Sequence, residues 1–297
     1  MPANNSATTS MPKKHSANRS EAISKKVKLE TFKNSQLETK QSVINASSSF
    51  AVTEAYKTAR TNLMFLRKDE GCQIVAVTSP FQSEGKTTNC INLSITLAQA
   101  GLRTLMIDAD LRRPMADKLL GDRSTEGLSD YLACMTLAKS VSEAMSLVKK
   151  TEYDNLFLLP AGHIPPNPAE LLSSKRMCQL LEGLSEKFDY IMIDTPPVYV
   201  VTDATVLKNY VHGYLLVARA GHTSKEGLLE CIARMKQVDA NIFGILLNDV
   251  DQKSSYKKYD YKYKKYGHYY KYGHYSDNCG YCNPTQWVDD IQKENND

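Results

Sequence analysis

Six short, nearly unbroken apolar runs punctuate the middle of the chain: QIVAVTS (73–79), TLMIDAD (104–110), LFLLP (156–160), YIMID (190–194), GYLLVA (213–218) and IFGILLN (242–248). Runs this short, apolar at successive rather than alternate positions, fit strands buried on both faces. Between most of them lie amphipathic segments of helical length, at 87–100, 169–187 and 223–238. Strand and helix alternating at this spacing predict an α/β fold, with a mostly parallel sheet and helices on both faces. A further helix is predicted ahead of the first strand. In TEAYKTARTNLMFLR (53–67), Thr53 is placed as N-cap, and Tyr56, Ala59, Leu63 and Leu66 recur at helical intervals.

On either side of this region the pattern disappears. Residues 1–48 are rich in Ser, Asn, Thr and Lys, with eight Lys/Arg against three Glu, and read as a disordered basic tail. Residues 253–297 read as a second flexible tail, with seven Lys and one Asp between Lys253 and Tyr275. The formal net charge of +4 therefore hides two basic ends around a slightly acidic domain, expected over 49–252. No run approaches the length that spans a bilayer, and the N-terminus lacks a signal peptide's apolar core, so a cytoplasmic location is expected. The seven cysteines are odd in number and scattered, which fits reduced thiols. Cys279 and Cys282 form a lone C-x-x-C below His268 and His274, a weak zinc signal without a second pair.

Candidate chemistry starts where the first strand ends. In AVTSPFQSEGKTT (76–88) a predicted strand runs into a loop and then a predicted helix, the setting in which backbone N–H groups converge on a phosphate. Lys86 would reach the β- and γ-phosphates of a nucleotide, and the Thr87 hydroxyl would complete a Mg²⁺ shell. The loop is glycine-poor: Pro80 holds the first glycine's place in G-x-x-x-x-G-K-[ST], and Ser83 stands where another glycine is common. Asp108, Asp110 and Asp194 close two buried strands, along the rim where open α/β sheets bind ligands. Any one of them is ordinary as a cap or turn residue. Three beside a Gly-Lys-Thr loop point to ATP and Mg²⁺.

SEGKTT (83–88), LMIDADLRRP and YIMIDTPPV resemble the Walker A, A′ and B motifs of the bacterial tyrosine kinases of capsule and exopolysaccharide systems, on the P-loop ATPase fold. LPAGHIPPNPAELLSS (159–174) and VTDATVLKN (201–209) look like loops of the same family, and the similarity covers about residues 50–275. The resemblance implies a nucleotide cradle of Ser83, Glu84, Gly85, Lys86, Thr87 and Thr88, with Asn248 near the adenine. It implies a metal shell of Thr87, Asp108 and Asp194, and catalytic roles for Lys86, Asp108 as base, Asp110 and Arg112. Arg112 and Arg113 are both candidates to hold transferred or acceptor charge, with a strand-end salt bridge as the alternative for one of them. TEAYKTARTNL resembles the family's E-x-x-R-x-x-R oligomerisation helix, here Glu54, Lys57 and Arg60; lysine at the middle position keeps the charge and loses the planar fork. It also implies a homo-oligomer, a transmembrane polysaccharide co-polymerase as activator, a cognate tyrosine phosphatase and recruitment to the inner face of the membrane.

Ten of the seventeen tyrosines crowd into the C-terminal tail: Tyr256, Tyr259, Tyr261, Tyr263, Tyr266, Tyr269, Tyr270, Tyr272, Tyr275 and Tyr281. Beside a kinase-like domain these are expected phosphoacceptors, tethered at high local concentration. Alternating Tyr and Lys would otherwise suit stacking on nucleic acid, which the kinase reading does not require. A positioning ATPase of the partition class and a nucleotide-bound scaffold are the alternatives. The partition class carries an early P-loop lysine where this chain reads Pro80-Phe81-Gln82.

Overall fold

A computed structural model describes residues 43–45, 47–66, 71–121, 124–134 and 141–250 of the 297-residue chain. The six apolar runs become strands β1 (Gln73–Thr78), β2 (Thr104–Asp108), β4 (Leu156–Leu159), β5 (Tyr190–Asp194), β6 (Gly213–Arg219) and β7 (Ile242–Asn248). A two-residue strand β3 (Lys149–Lys150), too short to leave a pattern in the sequence, pairs antiparallel with β4. The seven strands stand in the order β3-β4-β2-β5-β1-β6-β7, and every other pairing is parallel.

Because side chains alternate across a sheet, each strand feeds two cores. Ile74, Ala76, Leu105, Ile107, Ile191 and Ile193 enter one core. It is covered by α4 (Leu128–Ala133), α5 (Val141–Leu147), α7 (Lys175–Ser185) and α8 (Lys225–Gln237). Val75, Val77, Met106, Tyr190 and Met192 enter the other. That face is covered by α1 (Phe50–Phe65), α2 (Lys86–Gln99) and α3 (Ala116–Leu119). Residues 89–98 of α2 are buried all round, because the sheet lies on one side and α1 on the other.

The helices depart from expectation at their ends. Ser49, not Thr53, caps α1, its hydroxyl accepting from the Val52 N–H at 3.3 Å. Thr53 lies one turn in and donates to the Ser49 carbonyl. The segment expected as one helix over 169–187 splits into α6 (Pro168–Leu172) and α7, because Ser174 turns extended and caps the second. Packed chain begins ahead of α1, within the segment read as tail: Val43 is buried in the core on the α2 side of the sheet, and Ile44 beside it is buried as well. The Ile44 N–H donates to Asn92 of α2 at 2.9 Å, and its carbonyl accepts from the Tyr153 hydroxyl at 3.0 Å. Among the described residues no helix is long and apolar enough to cross a membrane.

Candidate active site

The loop from β1 to α2 folds back on itself because two residues take left-handed backbone: Ser83 at φ 62° and Gly85 at φ 88°. At Gly85 only glycine fits, since a Cβ would drive into the side-chain amide of Asn248. That amide donates to the Glu84 carbonyl at 2.9 Å. The Glu84 side chain turns inward, 1% exposed, and accepts from the Phe81 N–H at 2.8 Å and from the Thr223 hydroxyl. Glu84 therefore braces the loop from within, and what the loop offers a ligand at this position is backbone. Phe81 stacks on Tyr199 with ring centroids 4.8 Å apart, and the Arg234 guanidinium lies 4.2 Å from the Tyr199 ring. A glycine-poor loop thus keeps its path through side-chain braces on both flanks.

The carboxylates meet through strand register. Asp108 and Asp194 are direct partners across the β2–β5 pair. Each stands two residues after a methionine, Met106 or Met192, that faces α2, so both carboxylates rise on the α2 side. Asp108 accepts from the N–H groups of Asp110, Met115 and Ala116 at 3.2, 3.1 and 3.0 Å. Asp194 is wholly buried, and neither of its oxygens finds a donor in good hydrogen-bond geometry.

Lys86 enters this group from the first turn of α2. Its Nζ pairs with Asp110 Oδ2 at 2.8 Å and lies 3.5 Å from the Thr87 hydroxyl. Burial works against the lysine's charge, but Asp194, Asp110 and Asp108 outweigh it and hold its pKa at about 12. Burial and the facing Asp194 push Asp108 up to about 8. Burial lifts Asp194 to about 6, with Lys86 and Thr87 pulling the other way. Three buried acids against one lysine leave uncompensated negative charge around an unsatisfied carboxylate, which suits a divalent cation. Among the described residues no three His, Cys, Asp or Glu side chains converge tightly enough to hold a metal by themselves. A Mg²⁺ ion here would draw its remaining oxygens from Thr87, water and a bound phosphate, as Mg²⁺ commonly does.

The other expected residues scatter more widely. Arg112 grips the wholly buried Asp203 with two bonds, Nε to Oδ2 at 2.8 Å and Nη2 to Oδ1 at 3.0 Å. Arg113 is exposed and reaches Gln82 at 3.3 Å. Thr87 and Thr88 are half-buried at the start of α2. On α1, Glu54 and Lys57 pair with each other at 2.8 Å, while Arg60 turns onto α2 and donates to the Thr96 carbonyl at 3.0 Å. The ten expected phosphoacceptors, from Tyr256 to Tyr281, and Cys279 and Cys282 lie outside the described residues. Asp203, Thr223, Tyr199 and Asn89 escaped the sequence reading. Asp203 sits within VTDATVLKN, where its being the one acid between β5 and β6 was its one signal.

Residues 72–247 match the family model of an AAA domain. The chain is 36% identical over 217 residues to the tyrosine-protein kinase YwqD of Bacillus subtilis, covering 73% of this chain and 86% of that one. It is 34% identical over 224 residues to the tyrosine-protein kinase wzc of Salmonella typhi, covering 75% of this chain and 29% of that longer protein. The solved kinase domain of the Escherichia coli tyrosine kinase ETK superposes with a TM-score of 0.62 at 30% identity, over 77% of this chain and 80% of that domain. With these similarities, the chain belongs to the bacterial protein-tyrosine kinase family, on the fold of the P-loop ATPases.

Proposed function

We propose that this chain transfers the γ-phosphoryl group of ATP to tyrosines of its own C-terminal tail, in trans within a homo-oligomer, and thereby regulates capsular or exopolysaccharide production. The observation that carries the reading is the convergence of Lys86, Asp110 and the register pair Asp108–Asp194 at the mouth of a phosphate-binding loop. In the transfer, an acceptor phenol oxygen bonds to the γ-phosphorus, the bond from phosphorus to the bridging oxygen of ADP breaks, and the phenol's proton passes to Asp108. A phenol of pKa about 10 asks much less of a carboxylate base than a serine hydroxyl would. Lys86 supplies positive charge to the β- and γ-phosphate oxygens, exchanging its bond to Asp110 for them. Gly85 and its neighbours present backbone N–H groups to the same oxygens. Thr87, Asp108 and Asp194 are the residues that would hold Mg²⁺, which would keep both carboxylates ionised and neutralise the phosphates. Asn248, whose amide donates to the Glu84 carbonyl, would border the adenine, a role that the family resemblance supports.

Arg112 serves by holding the loop after β2 against the loop after β5, through Asp203. In the oligomer, Glu54, Lys57 and Arg60 of α1 meet the neighbouring copy. A transmembrane polysaccharide co-polymerase activates the kinase at the inner face of the membrane, and a phosphatase reverses the modification. These roles rest on the family resemblance and on the two basic ends of the chain.

Incubation of purified full-length protein with labelled ATP and Mg²⁺, followed by peptide mapping, tests the reading. Label is expected on the tyrosines between 256 and 281, and Lys86→Met is expected to lower it at least about a hundredfold. Release of free phosphate with no protein label would point to a positioning ATPase instead. Full-rate labelling by Lys86→Met would remove the site from the mechanism.

A further inference from the structure

The Tyr56 hydroxyl of α1 sits in a continuous run of side-chain hydrogen bonds that ends at the phosphate-binding loop. It donates to Asn89 Oδ1 at 2.7 Å, and Asn89 Nδ2 donates to the Gly85 carbonyl at 2.8 Å. On its other side the hydroxyl hydrogen-bonds the Asn92 side chain, whose Oδ1 takes the Ile44 N–H at 2.9 Å. Asn89 and Asn92 are buried in the first two turns of α2, at 0% and 1% exposure, where a polar side chain persists only if its bonds are made. Neither amide is needed for the helix itself. Helix interiors do not favour asparagine, so two of them on consecutive turns of a buried helix mark a purpose beyond packing.

Gly85 is where the run arrives, and Gly85 is the tightest point of the loop. Its left-handed backbone is held between two amides, Asn248 on one side and Asn89 on the other, and both would meet an added Cβ. Its carbonyl accepts from the Asn89 backbone N–H at 2.9 Å as well as from the side chain, so Asn89 fixes that peptide plane twice. The plane of the peptide after Gly85 sets the direction of the Lys86 N–H, one of the groups a phosphate would meet. A shift of α1 relative to α2 therefore reaches the loop by way of one hydroxyl and one amide.

From this geometry we infer that Tyr56 is a positioning residue for phosphoryl transfer: acting through Asn89, its hydroxyl holds the Gly85–Lys86 peptide in the nucleotide-binding orientation, so that contacts made by α1 and by the segment at Ile44 tune affinity for Mg·ATP and Mg·ADP. The inference rests on the nucleotide site proposed above and adds the route by which the opposite flank of α2 acts on it. Tyr56→Phe removes one oxygen and leaves the ring packed.

The test is a double-mutant cycle in the full chain, with Tyr56→Phe, Asn89→Ala and both together, read as Kd for a fluorescent ADP analogue with Mg²⁺. Loss of one well-placed hydrogen bond predicts a three- to tenfold weaker Kd for Tyr56→Phe. The double variant should bind no more weakly than Asn89→Ala alone, because both changes cut the same route. In the kinase assay Tyr56→Phe should raise KM for ATP with little change in kcat, and melting without nucleotide should stay within about a degree. Unchanged Kd in Tyr56→Phe overturns the inference, as does an additive double variant or a Kd change that tracks a general loss of melting temperature. Lys86→Met separates the two levels. If it loses nucleotide while Tyr56→Phe does not, the positioning role fails alone; if it binds normally, the nucleotide site fails and the inference falls with it.

Discussion

Arg112 shows how a single side chain divides its work between chemistry and architecture. Read from the sequence, it belongs to a catalytic group with Asp108 and Asp110. In the fold its guanidinium forks onto Asp203, whose carboxylate has no exposure, while Arg112 itself stays 41% exposed. Removing the arginine strands a buried charge. Arg112→Ala is expected to lower stability by about 2 kcal/mol in urea denaturation, less than the roughly 3–5 kcal/mol of a fully buried pair because water screens the exposed side. Arg112→Lys should recover only part of that loss, since an ammonium cannot satisfy both carboxylate oxygens in one plane. A variant as stable as the parent would show that the fork contributes nothing. Ser83 presents the complementary case: a residue standing where glycine is common adopts the glycine-like backbone all the same, at φ 62°.

At the scale of elements, boundaries are set by small polar side chains that periodicity does not reveal. Helix α1 starts at Phe50 because Ser49 is extended and its hydroxyl takes the Val52 N–H. Thr53 satisfies the N-cap preference equally well by composition but spends its hydroxyl on a carbonyl within the first turn. Ser49→Ala is expected to cost about 1 kcal/mol and Thr53→Ala markedly less, measured side by side by chemical denaturation. The reverse order would place the cap at Thr53 after all. The same logic divides α6 from α7 at Ser174, where a long apolar period runs straight through a helix boundary. Helix α2 is the converse. Its apolar positions predict it well, yet its burial on all sides comes from α1, which lies before β1 in the chain and returns over the same face of the sheet.

For the whole molecule, the consequence of gathering acids beneath the loop is a stability that depends on pH and on ligand. Asp108 at about 8 and Asp194 at about 6 both lie above the ordinary carboxylate value of 3.8. The folded chain therefore keeps protons that the unfolded chain gives up, and the stability this provides is lost as pH rises from about 4 to about 8. Lys86, raised to about 12 from 10.5, acts only above that window. The melting temperature without metal or nucleotide should fall between pH 6 and pH 8.5, and Mg·ADP should flatten the fall by compensating the carboxylates. A profile with the same slope in both conditions would mean that the ligand does not meet these acids.

The chain's local patterns settled much of this. Six strands, the helices between them, the Gly-Lys-Thr loop and the acids at strand ends are all written in short windows, because burial and phosphate binding each demand particular residues at adjacent positions. The last run reads as buried on both faces, but as the edge strand β7 it leaves Ile245 and Leu247 exposed. What windows cannot carry is which strand lies beside which. The order β4-β2-β5-β1-β6 and a register that sets Asp108 against Asp194 are decisions of the packed sheet, made by residues 86 positions apart in sequence. So too are the inward turn of Glu84, the fork of Arg112 on Asp203 and the approach of Tyr56 to Asn89, since each joins segments whose partners are known only once the layers close. Tertiary structure decided these because a hydrogen bond or an ion pair depends on distances of a few ångströms between side chains, and the sequence fixes only their order along the chain.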